Sequence, residues 1–326
     1  MSRRRLRILT WHVHGNYLYY LSQCPCDFFL PVKPGMPPPP GYCGRTASFR
    51  WGDNLHEVPA GRVGELDFDC ILFQSKENYL RDQHEILTPR QQALPRIYLE
   101  HDPPRESPVD TRHVVDDPEM LLVHVTHFNN LMWNNNRTPT RVIEHGVLIP
   151  DDARYEGSLE RGVVAINNLR MRGRRLGLDV FEKVSAAVPL DLVGMGSEEL
   201  GGLGEVAPME FPRFIARYRF FFNPIRYTSM GLAVCEAMAV GMPIVALATT
   251  EVPTIVQSGV SGYVHTDIGF LIDKMKLLLK DPDTSGMLGA QAAAEAGSRF
   301  NIGRFAADWT ETFYSVAGET ARRKTA

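Results

Sequence analysis

The chain returns again and again to short apolar runs that stop abruptly in polar residues. Cys70 to Phe73 gives way to Gln74-Ser75, and Arg96 to Leu99 gives way to Glu100-His101-Asp102. Leu121 to Val125 is followed by Thr126-His127, and Arg141 to Ile143 by Glu144-His145-Gly146. A second series follows: Gly162 to Ile166, Leu190 to Val193, Phe220 to Asn223, Pro243 to Ala246 and Gly262 to His265. Stretches of helical period lie between them, among them Leu178 to Ala187 and Gly231 to Val240. Continuous apolar strands separated by helices belong to parallel sheets covered on both faces, which carry their chemistry at the carboxyl ends of the strands. The pattern predicts an α/β protein with two such sheets. At 326 residues, of which 44% are hydrophobic, the chain can give each sheet its own core.

The polar segment Pro150 to Ser158 joins the two strand series. It predicts domains over residues 1–150 and 151–300. In the tail, Phe305, Trp309, Phe313 and Tyr314 recur at helical spacing, which predicts a closing helix in 301–326 that packs back on the first domain. Leu6 to Trp11 reads as the first strand. Pro31 to Trp51, with its proline run at 37–40, reads as a long loop. Tyr17, Tyr19 and Tyr20 read as helix core. His12 and His14 flank the loop after the first strand.

Charge is nearly balanced, with 35 Lys and Arg against 38 Asp and Glu, which argues against a nonspecific nucleic-acid surface. The five cysteines, at 24, 26, 43, 70 and 235, are odd in number, and two lie inside apolar runs. A reducing cytoplasm fits them better than a disulfide framework. No apolar run approaches the length of a membrane span. The expected setting is cytoplasmic, with any membrane contact peripheral. Cys24-Pro-Cys26 lacks the spacing and second pair of a zinc site. Asp116-Asp117, followed by proline, reads as a helix start rather than a metal-binding DxD.

The segment from Phe220 to Val264 carries most of the chemistry. A strand ends at Asn223-Pro224, a loop follows, and a helix starts near Met230. Gly231 leaves the N–H groups of that helix open to an anion. Glu236, one to two turns in, has the paired acceptor oxygens needed to hold two ribose hydroxyls. Gly241-Met-Pro243 ends the helix, and Glu251 and Pro253 are expected to open another.

This segment resembles the donor-binding signature of glycosyltransferase family 4. Glu236-Ala-Met-Ala-Val-Gly-Met-Pro-Ile-Val245, Glu251-Val-Pro-Thr-Ile-Val256 and Gly259-Val-Ser-Gly262 follow the family's order. Weaker matches run through Val163 to Asn168, Leu192-Val-Gly-Met-Gly196, Val142-Ile-Glu-His-Gly-Val147, Tyr98-Leu-Glu-His-Asp102 and the strand end at His127. The resemblance implies the GT-B fold, two Rossmann-like domains with parallel sheets facing across a cleft. It implies transfer of a sugar, with retention and without a metal, from a nucleoside-diphosphate sugar (UDP or GDP) to a glycan, lipid-linked or small-molecule acceptor.

The implied donor set is Gly15, Arg170, Arg174, Gly194, Asn223, Ser229, Met230, Gly231, Leu232 and Glu236. Arg174 takes the place of the family's phosphate-binding lysine, and Arg170, from the cluster Arg170, Arg172, Arg174 and Arg175, assists. His101 is implied beside the transferred sugar. One position departs from the pattern: Thr228 stands where the family has the first of two glutamates. That departure supports a second reading, a member of the fold that binds a nucleotide or glycan without catalysis. A sugar-nucleotide epimerase of the same fold is a third.

Overall fold

A computed structural model of the chain describes residues 4–35 and 37–323. The first three residues of the basic N-terminus and the last three of the 301–326 tail lie outside the described residues. The chain forms two compact units, one from the described residues up to Glu144 together with those from Ile302, the other from His145 to Asn301.

The first unit is built on seven strands: β1 (Arg7–Thr10), β2 (Asp27–Val32), β3 (Leu55–Pro59), β4 (Cys70–Phe73), β5 (Arg96–Glu100), β6 (Leu121–His124) and β7 (Thr140–Val142). Their order is β3-β2-β1-β4-β5-β6-β7, and every neighbouring pair is parallel. All four residues of β4 are buried, as those of a strand covered on both faces must be. The helix Ile302–Arg323 belongs to this unit. Phe305, Trp309 and Phe313 recur every fourth residue, so they share one helix face, and all three are fully buried. Trp309 Nε1 donates to the Tyr17 hydroxyl at 3.0 Å, which satisfies both polar tips inside the core.

The second unit holds β8 (Leu159–Ala165), β9 (Leu190–Val193), β10 (Tyr218–Asn223), β11 (Ile244–Leu247) and β12 (Gly262–His265), all parallel, in the order β12-β11-β10-β8-β9. Phe220 and Phe222, Val164, Leu192 and Val245 form its core with Leu271, Met275 and Leu278 of the helix Ile268–Lys280. Each sheet reverses its order of strand addition once, between β1 and β4 in the first and between β8 and β10 in the second.

Four sequence readings are corrected. β2 and β3 go unread by pattern: β2 carries Pro31 beside the proline-rich loop, and β3 is a half-exposed edge strand ending in Pro59. Asp116 and Asp117 start a turn, not a helix; an Asp117 carboxylate oxygen accepts the Glu119 N–H at 2.8 Å. Glu251 precedes a single tight turn, Val252–Thr254, because the chain is pulled straight back towards β12. The units divide at Glu144/His145, a few residues before Pro150. His145 Nε2 donates to the Met230 carbonyl at 2.9 Å and the Val147 N–H to the Phe300 carbonyl at 3.0 Å, so the second unit already holds this stretch.

The helix Leu232–Val240 stops at Gly241, whose φ of +96° only glycine adopts without strain. Its carbonyl oxygen faces Gly289 of the helix Pro282–Arg299, and a Cβ at Gly289 would land inside contact distance of that oxygen. Gly297, on the same helix, has nothing within 4 Å of its Cβ position. Gly297→Ala should therefore raise stability by about 0.5–1 kcal/mol through helix propensity. Gly289→Ala, the same chemical change, should lower it, since the two backbones must separate. Urea unfolding of the two variants decides this; the same sign for both would refute the close approach.

Candidate functional site

Where a parallel sheet reverses its strand order, the loops leaving two neighbouring strands diverge to opposite faces and open a crevice. In the second unit these are the loops after β8 and β10. Past β8, Asn168 sits in the left-handed region with φ +52°. Its N–H donates to the Met195 carbonyl at 2.6 Å, while Asn167 Oδ1 accepts the Met195 N–H at 2.9 Å. This two-way lock holds the turn Gly194-Met-Gly196 against the end of β8. A Cβ at Gly194 would fall 2.8 Å from both Asn167 Oδ1 and the Ile166 carbonyl oxygen.

The arginines follow, on the short turns Leu169–Arg172 and Gly173–Leu176. Arg170 lies against Glu199, with Nε 3.7 Å from its carboxylate and Nη2 donating to its carbonyl at 3.3 Å. Arg174 Nη1 donates to Asp179 at 2.6 Å. Arg226 takes both oxygens of the same carboxylate, at 2.5 and 2.7 Å, a bidentate geometry that only a guanidinium fork provides. The hydrogen bond from Arg226 holds the Asp179 carboxyl below its ordinary value, with help from the charges of Arg226 and Arg174.

Arg175 differs. It is partly buried, and its side chain makes no hydrogen bond or ion pair among the described residues. Its carbonyl accepts the N–H groups of both Arg226 and Tyr227, each at 3.1 Å. The turn that carries Arg175 is thus tied to the loop after β10 from both sides.

β10 ends at Asn223, which is buried and whose side chain makes no hydrogen bond among the described residues. Thr249 Oγ1 anchors the following loop by donating to the Ile225 carbonyl at 2.7 Å, and His145 anchors its far end through the Met230 carbonyl. Thr228 is partly buried, and Ser229 and Met230 are buried. Gly231, exposed, is the N-cap of the helix that opens at Leu232, and as a glycine it has no side chain of its own to cap that end. A Cβ at Gly231 would meet nothing within 4 Å, so the fold itself does not demand glycine here. Glu236 is buried on the next turn. Glu251 is buried as well, accepting from Thr254 Oγ1 at 3.0 Å and from Arg299 at 3.5 Å.

Gly15 and His101 belong to the first unit. Gly15 starts the helix Gly15–Leu21, and a Cβ there would lie 2.9 Å from the Phe49 ring, so the loop before β3 folds back on this turn. Tyr17, Tyr19 and Tyr20 are buried, with Tyr19 stacked on Phe49. His12 is buried against the Gly44 carbonyl, and burial lowers its pKa. His101 follows β5, its Nε2 3.2 Å from Gln74 Oε1. His127, exposed, opens the helix His127–Met132.

Ten predicted residues therefore lie in the second unit at the carboxyl edge of its sheet or on the helix that follows: Arg170, Arg174, Gly194, Asn223, Thr228, Ser229, Met230, Gly231, Leu232 and Glu236. The roles of Asp179 and Arg226 escape sequence reading, because neither stands out until the fold pairs them. Among the described residues, no group of three or more His, Cys, Asp or Glu side chains is arranged to hold a metal ion, and all five cysteines are free thiols. No described helix is long and apolar enough to cross a membrane.

Residues 161–281, which contain this edge, match the family model described as Glycosyl transferases group 1. Solved structures similar in fold cover nearly the whole chain. HepE from Anabaena in complex with UDP is 14% identical with a TM-score of 0.67, over 96% of this chain and 100% of that one. Sucrose-phosphate synthase from Thermosynechococcus elongatus is 14% identical with a TM-score of 0.66, over 97% and 100%. The chain has the GT-B fold. TarM from S. aureus, in complex with Fondaparinux, α-GlcNAc-glycerol and UDP, is 13% identical with a TM-score of 0.61 over 78% of this chain. The chain spans 58% of TarM's length. No curated protein sequence matches the chain.

The first unit also buries a titratable group in its core. His124, fully buried at the end of β6, donates from Nε2 to Asn135 Oδ1 at 2.9 Å. Burial pushes its pKa down to about 4, with His113 nearby adding to the shift. The unfolded chain takes up a proton below about pH 6.5 while the folded one resists it until about pH 4, so stability falls as pH drops through that window, by up to about 3 kcal/mol. His124→Gln keeps a donor for Asn135 without titrating. Between pH 7 and pH 4 it should lose less unfolding free energy than wild type by roughly that amount. Equal losses in urea titrations would remove His124 as the source.

Proposed function

We propose that this chain is a retaining glycosyltransferase of family 4 that takes its sugar from a nucleoside-diphosphate sugar and needs no metal. One observation carries the reading. On a single edge of the second sheet, a helix N-terminus whose N-cap is glycine adjoins a loop bonded to the turn of Arg175, whose guanidinium makes no hydrogen bond or ion pair among the described residues. A diphosphate is the ligand this combination suits, since helix N–H groups and a guanidinium both favour phosphate oxygens. Arg170 and Arg174, the arginines singled out by sequence, are held by Glu199 and Asp179 and would serve as a second layer of charge. Glu236, buried one turn into the same helix, is the group for the ribose hydroxyls.

In this reading the bond from the anomeric carbon to the diphosphate breaks, and its electron pair leaves with the terminal phosphate. Arg175 and the N–H groups at Leu232 stabilise that charge, the work a metal ion performs elsewhere. Asn223, Thr228, Ser229 and the backbone of the Gly194 turn offer neutral hydrogen bonds to the donor, and Met230 shapes its seat. His101 of the first unit takes the transferred sugar as its partner, and Gly15 the donor's approach. Structures such as HepE with UDP-glucose make uridine the first base to test. The acceptor is a glycan, a lipid-linked sugar or a small molecule, met in the cytoplasm or at a membrane surface. Thr228, where the resembling family has a carboxylate, favours one competing reading: a protein that holds the nucleotide or a glycan and transfers nothing.

Calorimetric titration with UDP and GDP and their sugars tests the site. Arg175→Met and Glu236→Gln should each weaken binding by about tenfold or more, as expected for a charge-assisted hydrogen bond. Arg174→Met, losing a paired and exposed guanidinium, should cost less than about threefold. Wild-type affinity in Arg175→Met would overturn the phosphate assignment. Binding of a sugar nucleotide without release of its diphosphate, across a panel of acceptors, would favour the non-catalytic reading.

A further inference from the structure

At the switch point of the first sheet, a chain of hydrogen bonds runs across the ends of three strands and ends on His101. Thr10 closes β1, Gln74 follows β4 and His101 follows β5. Thr10 and Gln74 are buried, so their polar atoms must find partners inside the protein. Thr10 Oγ1 donates its single proton to the Leu72 carbonyl at 2.9 Å. Its remaining role is that of an acceptor, and the atom facing it at 2.8 Å is one end of the Gln74 amide. The same end lies 2.9 Å from the Trp11 carbonyl, which can only accept. Both partners therefore require the NH₂ of Gln74, which leaves Oε1 facing His101 Nε2 at 3.2 Å. A carbonyl oxygen can only accept, so His101 Nε2 must carry a proton.

The ring is also held sideways. His14 and Tyr17 meet it edge-on, with centroids 4.3 and 4.8 Å away, and Tyr17 is itself fixed by the Trp309 N–H. Asn129 Nδ2 donates to the His101 carbonyl at 3.2 Å. On either side of His101 in the chain, Glu100 accepts from His113 at 3.2 Å and Asp102 from Arg105 at 2.5 Å.

We propose that Gln74 is a positioning residue for the transfer reaction: it fixes His101 in one orientation and as the Nε2–H tautomer, so that Nδ1 is the nitrogen left with a lone pair. The backbone carbonyls of Leu72 and Trp11 set the direction of the whole chain, because neither can reverse its role. This rests on the proposed role of His101 in sugar transfer; the tautomer does not.

The test separates the two. Full-length protein labelled with ¹⁵N-histidine is studied by long-range ¹H–¹⁵N correlation, with His101 assigned by its loss in His101→Asn. A neutral ring protonated on Nε2 is expected; protonation on Nδ1 overturns the proposal. Gln74→Met removes the acceptor and should give a mixture of tautomers, with kcat down at least tenfold and donor KM within about twofold. Gln74→Glu places an anion opposite Nε2–H and should raise the His101 pKa, moving the acid limb of the pH profile upward with it. Unchanged tautomer and kcat in Gln74→Met would overturn the positioning role. The expected tautomer in a wild-type protein that transfers no sugar would refute the transferase reading and, with it, the functional half of the proposal.

Discussion

In a parallel sheet every strand runs the same way, so the chain must cross back over a face after each one and every strand leaves by the same edge. That constraint shapes both units. It collects the ends of β1, β4 and β5 on one edge of the first sheet and the ends of β8, β9 and β10 on one edge of the second. The polar residues that terminate the apolar runs are brought together by this rule alone, although they lie far apart in sequence. The reversal of strand order then decides which of them border a crevice: Thr10 and Gln74 in one sheet, Asn168 and Asn223 in the other.

Loops at such an edge are free to wander unless something holds them, and here the holding groups are mostly backbone carbonyls. The Arg175 carbonyl takes two N–H groups from the loop after β10, and the Ile225 and Met230 carbonyls take Thr249 and His145. Arg226 adds a bidentate pair with Asp179 across the same gap. Two carboxylates, Asp179 and Glu199, pair with Arg226, Arg174 and Arg170, while the Arg175 guanidinium has no counterpart among the described residues. A partly buried guanidinium and a nearby helix N-terminus both favour negative charge, which is the basis of the diphosphate site proposed above.

Much of this was legible in the chain. β4, β9 and β12 begin and end where the sequence pattern predicts, and in β4 the reason is plain: burial on both faces leaves no room for polar residues within the strand. The helix from Leu232 could be read from its glycine-flanked, proline-terminated run. β2 and β3 could not: Pro31 lies inside one, and the other, Leu55–Pro59, has no regular alternation and ends in proline, so both resemble the loop between them. The tight turn after Glu251 also defeats a local reading, since what shortens it is its connection back to the sheet.

The sequence by itself determined the class of fold, the ends of most strands and the helix mouth at Gly231, because each depends on residues within a few positions of one another. The tertiary structure alone decided which carboxylates hold Arg170, Arg174 and Arg226, and which atoms face the ring of His101. Those outcomes depend on Asp179, Glu199, Leu72 and Trp11, whose distance and hydrogen-bonding direction exist only once strands distant in the chain lie side by side.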